Sequence, residues 1–336
     1  MLAVAAVALL FLDDGGGDRS DGVNAASAST STAVPTTTAP PTTTEQPATT
    51  TAPATGATGA LSPLEIDRTY PVATATRTFV DSSRTTSANG DAPAAPDRTL
   101  ATSFWYPDAP GTYPLVIFSH GYAVTPDFYA PMLERWAAAG YVVAAPTYPI
   151  LSGSPGGASH VDYEKTFADT SFVISKVLGL GAGDTVGARV DGDRIAVTGH
   201  SDGEVVAFGV GFFECCRDPR VRSVIAMAGN LENGNNPHVR DTGLPILHVM
   251  ETGDEYDPYG ASIAWDRANL TSPRWMLTLE GATHVPPYQV PGNAHFELLA
   301  SAVVDFLDGT LKGHPERLDR MAATIADRPD LASLER

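Results

Sequence analysis

Short apolar runs alternate with segments of helical spacing over most of residues 61–336. Continuous apolar runs, which are typical of strands covered on both faces, occupy residues 114–119, 141–146, 194–197, 221–227, 245–250 and 274–279. Helical segments are predicted over residues 128–139, 164–178, 205–213, 263–269, 295–311 and 315–325. Residues 69–80 and 99–106 have the pattern of edge strands. Because strands that alternate with helices form right-handed βαβ units, this order predicts an α/β fold with a mostly parallel central sheet flanked by helices.

The first 60 residues of the chain have a different composition. Residues 2–12 are continuously apolar, which is too short for a membrane span and matches the apolar core of a signal peptide. No Lys or Arg precedes them, so we expect residues 1–24 to be the remainder of an export signal or anchor. Residues 25–60 are rich in Thr, Ala, Pro and Ser and predict a disordered linker. We therefore expect a catalytic domain over residues 61–336 that is secreted or tethered to the cell surface.

Charge and cysteine content exclude several classes of protein. The 336 residues carry 39 Asp and Glu against 21 Lys and Arg, a net charge of −18. This balance argues against binding to nucleic acid or to anionic membranes, both of which need a basic surface. Cys215 and Cys216 are adjacent and cannot join distant segments, so they are either a vicinal disulfide or two buried thiols. We expect a monomer without a metal site.

The segment Gly199-His200-Ser201-Asp202-Gly203 joins a predicted strand to a predicted helix. A strand that turns at once into a helix forces its corner residue into strained backbone angles, and flanking glycines let the two elements approach. The serine hydroxyl is then presented at a helix N-terminus, where backbone N–H groups can stabilise an oxyanion. Ser201 is therefore the candidate nucleophile.

Polar residues follow three other predicted strands, at the edge of the sheet where ligands bind. After the strand at 114–119 comes Tyr122, whose N–H we expect to form an oxyanion hole with the N–H of Asp202. After the strand at 245–250 we select Asp257 as the acid that orients a histidine, with Asp254 as the alternative.

The candidate base follows the last predicted strand. His284 completes the chain order serine, acid, histidine, and His295 is the alternative. Tyr122, His200 and Tyr256 are candidate substrate-binding residues, with Tyr288 as a further aromatic wall. His200 is predicted to point away from the Ser201 hydroxyl and to pack or line the pocket.

These motifs resemble the α/β-hydrolase superfamily. The run from Pro114 to Gly121, the GHSDG elbow and the run from Cys215 to Val221 are similar to the branch that contains platelet-activating-factor acetylhydrolase-like enzymes, chlorophyllases, dienelactone hydrolases and bacterial cutinase or PET-hydrolase-like enzymes. The resemblance covers residues 99–311 and implies a Ser-His-Asp triad. Glu204 departs from it, since a second glycine often follows this elbow.

Together these features predict a secreted serine ester hydrolase, such as a carboxylesterase, lipase or polyester hydrolase, that needs no metal or organic cofactor. Residues 228–244 are too few for a large inserted cap domain, so we expect an open site. A peptidase or amidase with the same triad is the alternative within enzymes. A non-catalytic binding module on the same scaffold is the alternative outside them.

Overall fold

The structure, a computed structural model, describes residues 62–229, 239–256, 270–271 and 273–336. The predicted export signal at 1–24, the linker at 25–60 and the helix at 263–269 lie outside the described residues. Asp257 lies outside them as well.

Nine strands of the described chain form one sheet in the order β1-β2-β4-β3-β5-β6-β7-β8-β9. Their bounds are Val72–Asp81 (β1), Arg98–Pro107 (β2), Tyr113–Ser119 (β3), Val142–Pro146 (β4), Val190–His200 (β5), Val221–Met227 (β6), Ile246–Glu251 (β7), Arg274–Leu279 (β8) and Ala332–Glu335 (β9). The six central strands, β4, β3, β5, β6, β7 and β8, run parallel. On one side β2 pairs antiparallel with β4 and β1 pairs antiparallel with β2, and on the other side β9 pairs antiparallel with β8. The predicted α/β fold class is confirmed.

Helices cover both faces of this sheet. Their bounds are Ala130–Ala138 (α1), Lys165–Leu178 (α2), Asp202–Phe212 (α3), Pro286–Gln289 (α4), Ala294–Thr310 (α5) and Glu316–Ala326 (α6). Side chains of α1, α5 and α6 pack on one face with Val116 and Phe118, and side chains of α2 and α3 pack on the other with Leu115 and Ile117. Successive residues of β3 therefore enter opposite cores, which is why its sequence is continuously apolar.

Three features refine the sequence-based picture. The strand that leads to Ser201 begins at Val190 rather than at residue 194. Strand β9 was not predicted, since its four residues alternate weakly and pair only with distant β8. Cys215 and Cys216, in the turn after α3, are joined to each other in a disulfide rather than being two thiols.

The order of the strands brings four loops to one edge of the sheet. Strands β3, β5, β7 and β8 run parallel, so their C-terminal ends, at Ser119, His200, Glu251 and Leu279, lie at the same edge. Only residues 228–245 separate β6 from β7, and no large cap is inserted there. None of the helices in the described part of the chain is long and apolar enough to cross a bilayer.

Candidate active site

Ser201 occupies the sharp corner predicted between β5 and α3. Its backbone angles are φ 58° and ψ −128°, a conformation that L-residues rarely adopt. The corner depends on the flanking glycines. A Cβ on Gly199 would lie 1.9 Å from the carbonyl oxygen of Gly203, and a Cβ on Gly203 would lie 2.1 Å from the carbonyl oxygen of Ser119. The sequence therefore places a strained serine at the start of a helix and packs that helix directly on β3.

His284 is held by a carboxylate from the neighbouring loop. Its Nδ1 lies 2.7 Å from Oδ2 of Asp254, whose side chain has no exposed surface. Asp254 is the alternative that the sequence left open, and Asp257 lies outside the described residues. Because a carboxylate on Nδ1 keeps the proton on that nitrogen, Nε2 is left able to accept one.

Backbone hydrogen bonds fix the distance between these two loops. The N–H of Gly253 donates to the carbonyl oxygen of Ala282 across 3.0 Å, and the N–H of Gly281 donates to the Thr252 hydroxyl across 2.7 Å. The two residues that precede Asp254 are thus both bound to the loop that carries His284.

The loop after β3 lies against Ser201. A Cβ on Gly121 would lie 3.1 Å from the Cβ of Ser201, so the backbone of this loop approaches Ser201 closely. The Gly121 carbonyl oxygen accepts from Nδ1 of His120 at 2.8 Å, and its N–H donates to the Tyr129 hydroxyl at 3.3 Å. In a trans peptide the C=O and the next N–H point in opposite directions, so the N–H of Tyr122 points away from the His120 ring.

His120 is buried and neutral, and its ring holds the loop after β3 in place. The N–H of Tyr148 donates to its Nε2 across 2.9 Å, so Nδ1 carries the proton that is donated to Gly121. Burial lowers the pKa of His120 to about 4, which keeps the ring neutral.

His200 connects the elbow to both neighbouring loops. Its Nε2 lies 2.9 Å from the carbonyl oxygen of His284, and its Nδ1 lies 2.9 Å from the Tyr129 hydroxyl. Since a carbonyl only accepts, Nε2 carries the proton and Nδ1 accepts from Tyr129. Burial, followed by the neighbouring His284, lowers the pKa of His200 to about 3. The structure places this ring in the interior, with both nitrogens engaged, rather than where a substrate would contact it.

Two buried glutamate side chains lie beneath the site. Glu204, in the first turn of α3, lies 3.1 Å from Nε2 of His248 and accepts from the N–H of Gly229. Glu251, at the end of β7, accepts from the Tyr288 hydroxyl. Burial raises the pKa of Glu251 well above its ordinary value. The sequence signalled Glu204 through its departure from the glycine pattern, but gave no signal for His248.

The three candidate aromatic residues divide between the surface and the interior. Tyr122 is 40% exposed and Tyr256 is 64% exposed, and the Tyr256 ring lies 5.0 Å from the His284 ring. Both are accessible to a substrate. Tyr288 is buried, with its ring 4.2 Å from that of His200, and therefore forms no wall of the site. His295, the alternative base, binds the carbonyl oxygen of Glu280 instead.

Two residues of the loop between β4 and α2 join the site without any signal in the sequence. Nε2 of His160 lies 2.6 Å from Oδ2 of Asp202, and the His160 ring stacks on Tyr122 at 4.8 Å. The Tyr163 hydroxyl donates to the carbonyl oxygen of Asp202. Residues 147–163 form no helix or strand, so no periodicity could indicate which of them face the site. No cluster of three or more His, Cys, Asp or Glu residues within the described ranges is arranged to hold a metal ion.

Comparisons with known proteins support the same fold. A family model described as Chlorophyllase matches residues 75–228. Chlorophyllase-1 from Arabidopsis thaliana is 30% identical to the chain over 153 residues, and the match covers 45% of each protein. A ferulic acid esterase from Streptomyces cinnamoneus has a similar structure, with a TM-score of 0.54 and 22% identity over 76% of this chain and 94% of that one. The chain is an α/β-hydrolase by fold.

The sequence matches cover only part of the chain. The family model includes the loop after β3 and the Ser201 elbow and ends before Asp254 and His284. The chain spans less than half of the length of the Arabidopsis relative. The resemblance to chlorophyllases that the motifs indicated is confirmed.

Proposed function

We propose that this α/β-hydrolase is a serine ester hydrolase in which Ser201 is the nucleophile, His284 the base and Asp254 the orienting acid. One observation carries the proposal. A serine held at φ 58° at the start of α3 shares the edge of the sheet with a histidine whose Nδ1 lies 2.7 Å from a buried carboxylate. Nucleophile, base and orienting group are the three parts that acyl transfer requires.

The reaction would proceed through an acyl-enzyme. The Ser201 oxygen attacks the ester carbonyl carbon while its proton passes to Nε2 of His284, and the carbonyl oxygen becomes an oxyanion. The N–H groups of Tyr122 and Asp202 would donate to that oxyanion. Collapse of the tetrahedral intermediate breaks the bond to the alcohol, which leaves with the proton from His284. Water, deprotonated by His284, then attacks the acyl carbon and releases the acid.

The similarity to known proteins also supports ester hydrolysis. A match to chlorophyllases over the elbow and a structural likeness to a ferulic acid esterase favour ester hydrolysis over peptide hydrolysis. The exposed rings of Tyr122 and Tyr256 provide apolar surface beside the reacting groups.

The test is hydrolysis of p-nitrophenyl butyrate by purified protein. Ser201→Ala should lower kcat on the order of 10⁶-fold and abolish labelling by a fluorophosphonate, whereas Ser333→Ala, a surface serine on β9, should change neither. Activity of Ser201→Ala equal to that of the parent would refute the assignment. A substrate panel then separates the alternatives. Aminoacyl amides test for a peptidase, and esters of graded acyl length, a triglyceride and a polyester film show which class of ester is hydrolysed fastest. If the protein hydrolyses only the amides, the peptidase assignment replaces the esterase assignment.

We further propose that the protein acts outside the cytoplasm, as the apolar run at 2–12 and the Thr- and Pro-rich segment indicate. An antibody against the catalytic domain should detect the protein in the medium or on the surface of the producing cells. Detection only in the cytosolic fraction would contradict this localisation.

A further inference from the structure

His160 contacts both residues whose N–H groups would form the oxyanion hole. Its ring is stacked on that of Tyr122, with centroids 4.8 Å apart and planes inclined by 23°. Its Nε2–H donates to Oδ2 of Asp202 across 2.6 Å. Tyr122 follows β3 and Asp202 begins α3, so one side chain links the two elements between which the oxyanion would lie.

The contact between His160 and Asp202 contributes little to folding stability. The His160 side chain is 57% exposed and that of Asp202 is 27% exposed, and ion pairs at such positions contribute little to stability. It does fix the position of Tyr122 relative to Asp202, because both residues contact the His160 ring.

The loop that carries His160 is firmly attached to the rest of the domain. Asp162 is paired with Arg98, a fully buried residue of β2. The Asn89 side chain donates to the carbonyl oxygens of Pro155 and Gly157 at 2.8 and 2.7 Å. The stacked pair is therefore tied to the β1–β2 side of the molecule.

Two tyrosine hydroxyls complete the arrangement around His160. The Tyr122 hydroxyl donates to the carbonyl oxygen of Ala158 at 2.8 Å, and the Tyr163 hydroxyl donates to the backbone of Asp202. The Tyr163 ring also meets the His160 ring edge-on at 5.5 Å. Each proposed oxyanion residue is thus joined to residues 147–163 at a second point besides His160.

We propose that His160 is a positioning residue for the oxyanion hole, which sets the spacing between the N–H groups of Tyr122 and Asp202. This inference rests on the proposed esterase function. Such donors act because they are oriented before the charge develops, so a small displacement weakens binding of the transition state more than binding of the substrate.

The test compares three variants at equal concentrations of folded protein, as judged by thermal unfolding. His160→Ala removes the ring and the donor, His160→Phe keeps a ring on Tyr122 without the donor, and His160→Gln keeps an N–H donor without the ring. His314→Ala is the control, because the partners of His314, the Glu316 carboxylate at 3.0 Å and the carbonyl oxygen of Leu64 at 2.7 Å, do not belong to the site.

We expect His160→Ala to lower kcat for p-nitrophenyl butyrate roughly ten-fold with KM nearly unchanged, less than the 10²–10³ that loss of a whole donor costs. The inhibition constant of butylboronic acid, whose serine adduct is tetrahedral, should rise by the same factor. His160→Gln should recover part of the loss. Should His160→Ala fail to fold, His160→Phe carries the test, with reduced kcat expected again.

Unchanged kcat in His160→Ala or His160→Phe would overturn the positioning role, and so would a rise in KM alone, which would make His160 a substrate-binding residue. These results leave the proposed esterase intact as long as the parent is active and labelled by the fluorophosphonate. A parent that is neither active nor labelled removes both proposals together.

Discussion

The Tyr129 hydroxyl donates its proton to Nδ1 of His200 across 2.9 Å. The same oxygen accepts the N–H of Gly121, and the other nitrogen of His200 donates to the carbonyl oxygen of His284. One buried hydroxyl and one neutral imidazole therefore connect the loop after β3, the elbow and the loop that carries His284.

Tyr129→Phe removes this connection and leaves two buried polar groups without a partner. We expect the free energy of unfolding to fall by about 1–3 kcal/mol and kcat to fall while KM changes little. Tyr141→Phe is the control, because Tyr141 is a buried tyrosine that donates to Asp308 at 2.6 Å, away from the site. It should lose stability and keep its activity per folded molecule. Urea unfolding and steady-state kinetics measure both, and equal loss of activity in the two variants would contradict the linking role of Tyr129.

Asp254→Asn should have a far larger effect on catalysis than Asp257→Asn. An amide donates to Nδ1 and moves the imidazole proton to Nε2, where the base must accept, so kcat should fall on the order of 10⁴-fold. The same exchange at Asp257 should change kcat little, because Asp254 already supplies the carboxylate on Nδ1 of His284. The measurement is kcat/KM for p-nitrophenyl butyrate in both variants, and the reverse ranking would return the role to Asp257.

Gly203→Ala should prevent the elbow from forming. The added Cβ would lie 2.1 Å from the backbone oxygen of Ser119, and a main-chain atom cannot move aside as a side chain can. We expect loss of soluble folded protein or of nearly all activity. Gly183→Ala, where the Cβ meets open space, should leave both unchanged, as followed by expression yield and thermal unfolding. A fully active Gly203→Ala variant would mean that α3 packs less tightly on β3 than described.

Glu251 predicts a pH dependence of stability. Burial raises its pKa well above the ordinary value of 4.5, so the folded protein retains a proton that the unfolded chain releases above that pH. The folded state then binds more protons, and its stability falls as the pH rises from about 4.5 toward the folded pKa.

Glu251→Gln cannot titrate and should lack this decline. Urea unfolding at pH 5 and pH 8 should give a smaller loss of stability in Glu251→Gln than in the parent, while Glu134→Gln, at an exposed position of α1, should behave like the parent. An equal loss in Glu251→Gln would mean that Glu251 is ionised in the folded protein.

The parts of the site that the sequence could predict are those with a local cause. The elbow needs only a strand, a helix and close-packed glycines around Ser201, and all are read within about fifteen residues. His284 is recognisable because it follows the last parallel strand. Except for β5, which extends beyond its predicted bounds at both ends, the central strands were predicted to within one residue at each end, since burial on both faces makes them continuously apolar.

The remaining parts depend on contacts between distant segments. Asp254 and Asp257 follow the same strand, and which one reaches His284 is decided by the hydrogen bonds of the Gly253 turn to Ala282. His160 lies in an irregular loop that is placed by residues far away in the chain. No periodicity within either segment encodes these pairings.

The attachment of the His160 loop has a consequence for how the protein should respond to ionic strength. Dissolved ions weaken attractions between charges that water can reach, but Arg98 and its partners Asp162 and Asp169 are enclosed by the protein. Raising the salt concentration should therefore leave this anchor in place. The contacts of the loop that water reaches are those between His160 and Asp202 and between Lys165 and Asp162, so any effect of salt should begin there.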